Sequence, residues 1–510
     1  MSNSRTKNTI LNSVFGIIVK IVTLLSAFAV RTIFIKVLGI QYAGVQGVFS
    51  DILMMLSFAE LGIGSAITYA LYKPIAENDE YQIGKLMGAY KTIYTLIAIV
   101  VLLLGVLLTP FLDCIVHDVP DIKEDIRSIF LLYVINSATS YLLVYKSTFL
   151  TAAQKDYLVS KYRIAITVLR SFIECVLLLL LSDFILYLLT SICFNFLQNY
   201  IVAKVAEKEY PVLRKKTSSK LSQVEKKRLF ANVRALFLYK VSGVVLNGTD
   251  SVVTSTILST AYVGLLGNYY LISNQLYSFF MQLFAASSAS IGNLAATSTG
   301  EHQLTIFRKM MFMCFWIYCV SATCLFIVYK PFITIWLGVD YLLSQYVVIA
   351  IVAEYYIRGM LSPISQFRLS NGLFVQGKYR PLIMAILNIG ISVFLAKKIG
   401  LLGIILGTIL SRALTQLWYD PWLIYRLVFN KSVSSYYKMY FEQLVVFGLS
   451  CFTTSFLFEI SSGESLWVNF LISAVIGIVI PNMLILMFYY KTTEFIQTKS
   501  LIINLIKRKI

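Results

Sequence analysis

The sequence is poor in charged residues and lacks the residue patterns of common enzymes. Only 14% of its 510 residues are charged, whereas soluble proteins have about 25%. It has two histidines, His117 and His302, and its seven cysteines show no metal or redox spacing. No P-loop, His-Glu-x-x-His or Gly-x-Ser-x-Gly pattern occurs. These absences argue against an enzyme, a metal centre and a disulfide framework.

Apolar residues make up most of the chain and come in long runs. They account for 58% of all residues, and the mean hydropathy is +0.77. Runs of about 20 residues, enough to cross a bilayer, recur from end to end. They predict an all-α polytopic membrane protein with about 14 transmembrane helices, at 10–35, 44–71, 88–112, 127–151, 161–182, 184–204, 231–257, 262–298, 306–329, 342–369, 381–396, 400–427, 440–459 and 466–490.

The net charge of +19 could indicate nucleic-acid binding, but its distribution follows the loops. Ten Lys/Arg and three Glu lie between Lys204 and Arg234, whereas the loop at 111–125 is acidic. Basic and non-basic loops alternate, which is the positive-inside pattern with both termini in the cytoplasm. We therefore expect no nucleic-acid partner. The first apolar run, from Ile10 to Ile35, is too long for a cleavable signal peptide.

One short motif occurs twice. "QYAGVQGVFS" starts at Gln41, "AYVGLLGNYY" starts at Ala261, and both contain Tyr-x-Gly-x-x-Gly. At an offset of 220 without gaps, eight identities fall within residues 12–58. Predicted helices 1 and 7 are six spans apart and so run in the same direction. Two similar bundles related by an axis along the membrane normal form a known transporter architecture.

The repeat predicts two parallel six-helix lobes plus two C-terminal helices. The N-terminal lobe covers 1–204, a basic cytoplasmic linker 205–230, the C-terminal lobe 231–430, and the two additional helices with a cytoplasmic tail 431–510. The motif marks the helix 1–2 and helix 7–8 corners, where its glycines permit close packing. The alternative, a phosphate-binding loop, lacks the lysine that follows such loops.

Ionisable residues inside spanning helices face a bundle interior or a wet cavity by default. Lys20 and Arg31 point the same way on predicted helix 1, since eleven residues make about three turns. Lys240 occupies the position equivalent to Lys20 in the repeat. We expect these cations to bind an anionic substrate. The alternatives are snorkelling of Arg31 to the interface and a structural role for both lysines.

Further charges fall in other spans. Arg170–Glu174 and Glu354–Arg358 have the spacing of ion pairs within a helix, and each is interpreted either as structural or as part of a site. Arg412 has no repeat partner. Amide and phenol groups on predicted helix 8 suit sugar hydroxyls and rings, although interhelical polar contacts are the alternative. The predicted substrate-binding residues are Lys20, Arg31, Lys240, Arg358, Arg412, Tyr270, Asn274 and Gln275.

Three acids remain as candidates for ion coupling: Asp51, Glu60 and Asp250. A buried carboxyl group can carry a proton, and an ionised one can hold Na⁺. Alternatively, Asp250 balances Lys240 or Arg31. No cofactor is expected beyond a coupling H⁺ or Na⁺.

The first ninety residues carry a family resemblance. "RTIFIKVLGIQYAGVQGVFSDIL" and "LSFAELGIGSAITYALYKPIAENDE", with their Ala-Glu-Leu-Gly-Ile-Gly and Leu-Tyr-Lys-Pro elements, resemble bacterial flippases for capsular and O-antigen repeat units. Those are polysaccharide transporters of the multidrug/oligosaccharidyl-lipid/polysaccharide exporter superfamily. Elsewhere the resemblance lies only in length, span count and the repeat.

The resemblance implies a function in the bacterial cytoplasmic membrane. It implies a flippase that moves an undecaprenyl-pyrophosphate oligosaccharide from the inner to the outer leaflet by ion-coupled alternating access. It also implies membrane lipids and, as candidate partners, a glycan polymerase and a chain-length regulator. The alternatives are a multidrug/cation antiporter of the same superfamily, a flippase for the cell-wall precursor lipid II, and a non-transporting assembly scaffold.

Overall fold

Most of the chain that the structure describes is helical. The computed structural model describes residues 2–60, 63–116, 122–214, 223, 248–285, 291, 298–373 and 376–507. Within these residues there is no β-strand, and 11 helices are long and apolar enough to cross a membrane. The prediction of an all-α polytopic membrane protein is therefore confirmed.

The chain divides into two compact units, 1–264 and 265–510. The predicted boundaries of the lobes, linker and C-terminal extension stay a prediction. The helices of the first unit are α1 (Ser2–Leu38), α2 (Ile40–Leu56), α3 (Ile63–Glu77), α4 (Glu80–Leu108), α5 (Leu112–Ile115), α6 (Ile126–Ala152), α7 (Asp156–Leu181) and α8 (Phe184–Glu209). Residues 248–257 are also helical.

The boundary between the units falls near the start of α9 (Thr260–Ala285). The helices that follow are α10 (Gly300–Trp336), α11 (Gln345–Met360), α12 (Ser362–Ser370), α13 (Arg380–Ile399), α14 (Leu401–Ile424), α15 (Ser434–Ser461), α16 (Leu466–Tyr489) and α17 (Thr493–Lys507). A short π-helical turn, Tyr425–Phe429, extends α14.

In the first unit, α6 packs against α3, α4 and α8, and α1 packs against α7. The core between α4 and α6 is rich in tyrosine: Tyr90, Tyr94, Tyr141 and Tyr145 are all buried there. Because lipid tails are as apolar as these side chains, van der Waals packing and interhelical hydrogen bonds hold such helices together. Buried phenols supply both.

In the second unit, α10 is the central helix. It packs against α11, and also against α15 and α16, the two helices expected beyond the second lobe. The tightest pair is the hairpin of α13 and α14, where glycines let the backbones touch. A β-carbon on Gly407 would lie 2.2 Å from the Ser392 hydroxyl, and one on Gly403 would lie 2.3 Å from the Leu395 carbonyl carbon.

The predicted single span 44–71 is wrong: two helices replace it. Helix α2 ends at Leu56, a 3₁₀ turn covers Ser57–Glu60, and α3 begins at Ile63. The Ser57 hydroxyl donates to the Met54 carbonyl at 2.6 Å, a local bond that competes with helix continuation. The two glycines of "ELGIG" that follow lower helix propensity further.

The predicted span 342–369 is also divided. Helix α11 ends at Met360, and α12 starts at Ser362 with Pro363 in its first turn, a position that proline favours because it has no backbone N–H to donate. Of predicted span 231–257, residues 231–247 lie outside the described residues. Predicted span 262–298 is helical through Ala285, and most of its remainder lies outside the described residues as well.

Candidate functional site

Two arginines in the second unit share one buried carboxylate. On α11, Glu354 precedes Arg358 by one turn, and their closest charged atoms, Oε1 and Nε, are 3.8 Å apart. From α14, the Arg412 Nη2 lies 3.3 Å from the same Oε1. The Glu354 side chain is only 6% exposed, against 17% for Arg358 and 12% for Arg412. We call Glu354, Arg358 and Arg412 the arginine cluster.

Helix α9 adds a polar and an aromatic contact to the arginine cluster. The Arg358 Nη2 donates to the Asn274 side-chain oxygen at 2.8 Å. The guanidinium carbon of Arg358 also lies 4.2 Å from the ring centre of Tyr277, a cation–π distance. Asn274 and Tyr277 are three residues apart, so both reach Arg358 from one face of α9.

The arginine cluster carries more positive than negative charge. Within the described residues, Glu354 is the only carboxylate that pairs with Arg358 or Arg412. The Nε atoms of both arginines are buried and donate to no acceptor there. Guanidinium groups present planar N–H donors that match phosphate and carboxylate oxygens. The arrangement can therefore take up an oxyanion, which would supply the missing charge and acceptors.

An apolar cleft is lined by residues that adjoin or contact neighbours of the arginine cluster. It has a volume of about 400 Å³, and its walls come from α9, α10 and α16. Leu276, which lines it, directly precedes Tyr277. The hydroxyl of Ser321, also in its wall, lies 3.0 Å from the hydroxyl of Tyr355, the neighbour of Glu354. A molecule with an anionic head and an apolar chain could contact both regions.

The structure thus brings together three residues of the predicted site: Asn274, Arg358 and Arg412. Tyr270 lies one turn before Asn274 on α9, and Gln275 follows Asn274; both are half-buried. The sequence interpretation missed the bond between Glu354 and Arg412. Thr408 and Gln416, which flank Arg412 on its helix, contact Asn388 and Ser365 instead.

The predicted cations Lys20 and Arg31 differ in their exposure. Lys20 is exposed on α1. Arg31 is half-buried, and its Nη2 donates to the Gly264 carbonyl at 3.2 Å. Lys240 lies outside the described residues. A shared site for these three residues stays a prediction.

The three candidate coupling acids are all half-buried. Asp51 lies on α2, and Asp250 lies in the helical stretch 248–257. Glu60 sits in the 3₁₀ turn that divides the second predicted span and accepts a hydrogen bond from the Tyr94 hydroxyl at 2.9 Å. No metal-binding group of three or more His, Cys, Asp or Glu occurs among the described residues.

The other intramembrane pair, Arg170–Glu174, is completely hydrogen bonded. The Arg170 Nε donates to Glu174 at 2.7 Å, Nη1 to the Asn195 side-chain oxygen at 2.8 Å, and Nη2 to the Ser191 hydroxyl at 2.7 Å. Asn195 in turn donates to Asn136 at 2.8 Å. These bonds join α6, α7 and α8, so this pair is part of the packing of the first unit.

A buried acid that the sequence interpretation did not consider is Asp420. Its Oδ1 lies 3.1 Å from Arg368 and 3.2 Å from Arg380, and its side chain is 1% exposed. Arg368 also donates to the carbonyls of Leu373 and Gln376. The sequence did indicate this site, because Asp420 is an acidic residue inside the predicted span 400–427. The cluster holds the connection between α12 and α13 against α14.

The fold is similar to that of solved membrane transporters. Lipid II flippase MurJ in an inward closed conformation matches with a TM-score of 0.66 at 15% identity, covering 94% of this chain and 99% of that one. An inward-facing multidrug resistance MATE family transporter of the MOP superfamily matches with a TM-score of 0.58 at 13% identity, over 78% of this chain and 93% of that one.

A third similar structure is the Vibrio cholerae MATE transporter VcmN in the bent form, with a TM-score of 0.56 at 15% identity and coverage of 84% of this chain and 98% of that one. No protein-family model and no curated protein matches the sequence. These similar structures are transporters and flippases rather than enzymes. At such identities they establish the fold of this chain, and the substrate has to be argued from its own residues.

Proposed function

We propose that the protein is a flippase for an undecaprenyl-pyrophosphate-linked oligosaccharide, serving capsular or other surface polysaccharide synthesis. The observation that carries the proposal is the arginine cluster, in which Arg358 and Arg412 share one carboxylate and keep buried Nε–H groups without acceptors. A buried excess of guanidinium groups favours an anionic ligand, and a pyrophosphate offers the oxygens that these groups bind best.

The surroundings of the arginine cluster suit the other parts of such a lipid. Asn274 and the ring of Tyr277 can hydrogen bond to and stack on a sugar next to the pyrophosphate. The apolar cleft between α9, α10 and α16 can hold the first isoprenyl units. Lys20, Arg31 and Lys240 stay candidates for a second cationic contact, and Tyr270 and Gln275 for sugar contacts.

Transport against a gradient needs an energy source, and we propose coupling to H⁺ or Na⁺. Asp51, Asp250 and Glu60 are the acids that would carry it, since all three lie half-buried in or next to helices of the first unit. We further propose the bacterial cytoplasmic membrane as the location, with both termini in the cytoplasm, and a glycan polymerase and chain-length regulator as partners.

A lipid II flippase is the second candidate, because the match to MurJ covers 94% of this chain. Its headgroup is also a pyrophosphate sugar and would bind the same arginines. A multidrug/cation antiporter is less compatible with the arginine cluster, since excess positive charge repels a cationic drug.

The deciding experiment is translocation in proteoliposomes, comparing a surface-polysaccharide lipid intermediate with lipid II. Wild-type protein should move the first faster. The double variant Arg358→Gln/Arg412→Gln should lose most activity, because each charge-assisted hydrogen bond contributes about 1.5–3 kcal/mol, a factor of about ten or more in binding. The matched control is Arg426→Gln, which removes an exposed arginine near the end of the same α14 segment.

The outcomes separate the candidates. Faster movement of lipid II would replace the proposed substrate with the second candidate. Transport of a cationic dye with no movement of either lipid would contradict both flippase functions. The variant Lys20→Ala/Lys240→Ala, in the same assay, tests the repeated cationic contact, which predicts a loss of translocation.

A further inference from the structure

The break between α2 and α3 places a carboxyl group inside the membrane. A 3₁₀ turn, Ser57–Glu60, separates the two helices. Glu60, its last residue, accepts a hydrogen bond from the Tyr94 hydroxyl at 2.9 Å. Tyr94 lies at the middle of α4, which is long and apolar enough to cross a bilayer. The Glu60 carboxylate therefore lies far from both ends of α4.

An interruption of this kind is a frequent position for an ion site in transporters. The helical hydrogen bonds stop there, and the two half-helices end beside the site. Irregular backbone is tolerated inside a membrane only where protein covers it or water reaches it. The turn that ends at Glu60 packs against α2 and α4, so protein covers it on two sides.

Glu60 differs from the other intramembrane acids in what lies beside its carboxylate. Glu174 pairs with Arg170 at 2.7 Å, and Asp420 pairs with Arg368 at 3.1 Å. Glu60 forms no ion pair with a lysine or arginine of the described residues, and its partner is a phenol. A carboxylate without a counter-charge is costly inside a membrane. Uptake of a proton removes that charge.

The helices around the turn bring hydroxyl groups to Glu60 rather than cations. Tyr94 and Tyr90 of α4 are 2% and 0% exposed, and Tyr141 of α6 is buried in the same core. The charged residues on these helices do not pair with Glu60; they are Asp51 on α2, Lys73 and Glu77 on α3, Glu80, Lys85 and Lys91 on α4, and Arg127 and Lys146 on α6.

The two buried tyrosines of α4 form a chain of hydroxyl groups that ends at Glu60. The Tyr90 hydroxyl donates to the Tyr94 hydroxyl at 3.4 Å, and Tyr94 donates to Glu60. The two phenols are four residues apart and so lie on one face of α4. Tyr90 is one turn closer to the start of α4. That end is predicted to be cytoplasmic, because the acidic loop 111–125 follows the other end.

We propose that Glu60 carries the coupling proton and that Tyr90 and Tyr94 relay it. The proposal rests on the proposed function in so far as transport is ion-coupled, and it selects one of the three candidate acids and one of the two ions. A hydroxyl group donates and accepts at once. Tyr94 gives its proton to Glu60 as it takes the proton of Tyr90, and water restores the proton of Tyr90. Both phenols end unchanged, and the carboxylate becomes neutral.

Proteoliposomes with an imposed pH gradient test the relay when translocation and internal pH are followed together. In wild-type protein the gradient should speed translocation severalfold, and substrate should drive proton movement. Glu60→Gln should translocate at one rate with and without the gradient and should move no protons. Tyr94→Phe removes only the hydroxyl beside Glu60 and should lose most of the stimulation.

Matched controls separate the relay from a general effect on the first unit. Glu77→Gln neutralises an exposed acid at the end of α3, with a side chain 58% exposed. Tyr145→Phe removes another phenol of the same core. Both should keep full stimulation by the gradient. Stimulation that survives in Glu60→Gln would overturn the proposal, as would a sodium gradient that speeds transport where a pH gradient does not.

A measurement without substrate keeps the relay distinct from the proposed function. Infrared difference spectra of the wild-type protein at low against high pH should contain a protonated-carboxyl band that Glu60→Gln lacks and Tyr94→Phe shifts. A spectrum unchanged in Glu60→Gln would contradict the proposal. If this band is present and the pH gradient drives lipid II or a cationic dye instead of the polysaccharide intermediate, the relay stands and the proposed substrate falls.

Discussion

The two units each contain an Arg–Glu pair one turn apart inside a membrane helix, and the two pairs differ in what surrounds them. Arg170 uses Nε, Nη1 and Nη2 to bind Glu174, Asn195 and Ser191. In the second unit, Glu354 faces two arginines, and the Nε of each arginine stays without an acceptor. The first pair is neutral and complete, whereas the second is positive and has N–H groups to spare.

The difference shows that spacing within a helix does not separate structural pairs from ligand sites. What separates them is the balance of donors and acceptors supplied by neighbouring helices. A saturated pair acts as an interhelical polar contact. An unsaturated one with excess charge is costly in a membrane unless a ligand or water completes it. The loss of one arginine should therefore destabilise the first pair much more than the second.

The largest effect is expected for Arg170→Met. This change leaves the Glu174 carboxylate, with a side chain only 3% exposed, buried without its counter-charge. Breaking a buried pair in this way costs about 3–5 kcal/mol. Thermal unfolding in detergent should show a clear loss of stability and a low yield of folded protein. In contrast, Arg412→Met should keep most of its stability, because Arg358 remains beside Glu354.

The comparison would break down if the two variants unfolded at the same temperature. A second control is Arg170→Lys, which retains the charge but cannot make the three bonds of the guanidinium group. It should fall between wild type and Arg170→Met. A Lys variant as stable as wild type would mean that charge alone, rather than the hydrogen-bond network, fixes the first unit.

The sequence predicted a good part of these features. Long apolar runs identify an all-α membrane protein, and the rarity of intramembrane charge draws attention to Arg170, Glu354, Arg358 and Arg412. The spacing of four residues correctly paired Glu354 with Arg358, because both lie on one helix. Local periodicity is enough for such relations.

Contacts between distant helices could not be predicted in the same way. Arg412 reaches Glu354 from another helix, and nothing local to either residue indicates this. The break after Leu56 depends on a serine hydroxyl and two glycines in an otherwise apolar run. These three residues barely change the mean hydropathy of the run, so hydropathy alone predicts one continuous span. The repeated glycines could be assigned to close packing, but their partners, Thr260 and Ile40, follow only from the structure.

An intermediate effect is expected when the shared acid is neutralised. Glu354→Gln leaves two arginines without a carboxylate, so a pyrophosphate should bind more tightly. We expect the half-saturating substrate density to fall about five- to tenfold, which corresponds to about 1–1.4 kcal/mol. Slower release of the headgroup should lower the maximal rate at the same time. Translocation measured over a range of lipid-substrate densities separates these two quantities.

The matched control for Glu354→Gln is Glu174→Gln in the first unit. It removes the same charge from a pair that is not expected to meet substrate, so half-saturation should stay unchanged while stability falls. A tighter apparent affinity in both variants would point to a general effect of membrane charge. A weaker affinity in Glu354→Gln would mean that the carboxylate itself binds the substrate, for example through sugar hydroxyls.

The smallest effect is expected at an exposed, hydrogen-bonded acid at the start of α6. Its size is a reference for the effects expected of Arg170→Met and Glu354→Gln. Asp125 caps the start of α6: its carboxylate accepts the Ser128 N–H and the Ser128 hydroxyl, both at 2.9 Å. These bonds lower the pKa of Asp125. Because the folded-state pKa lies below the unfolded one, the capping stabilisation is present above about pH 4 and is lost as the pH falls further through the folded value.

Asp125→Ala should therefore cost about 0.5–1 kcal/mol at neutral pH, and thermal unfolding of the variant and wild type should converge below about pH 4. A cost of several kcal/mol at this exposed site would mean that burial does not explain the large effect expected for Arg170→Met.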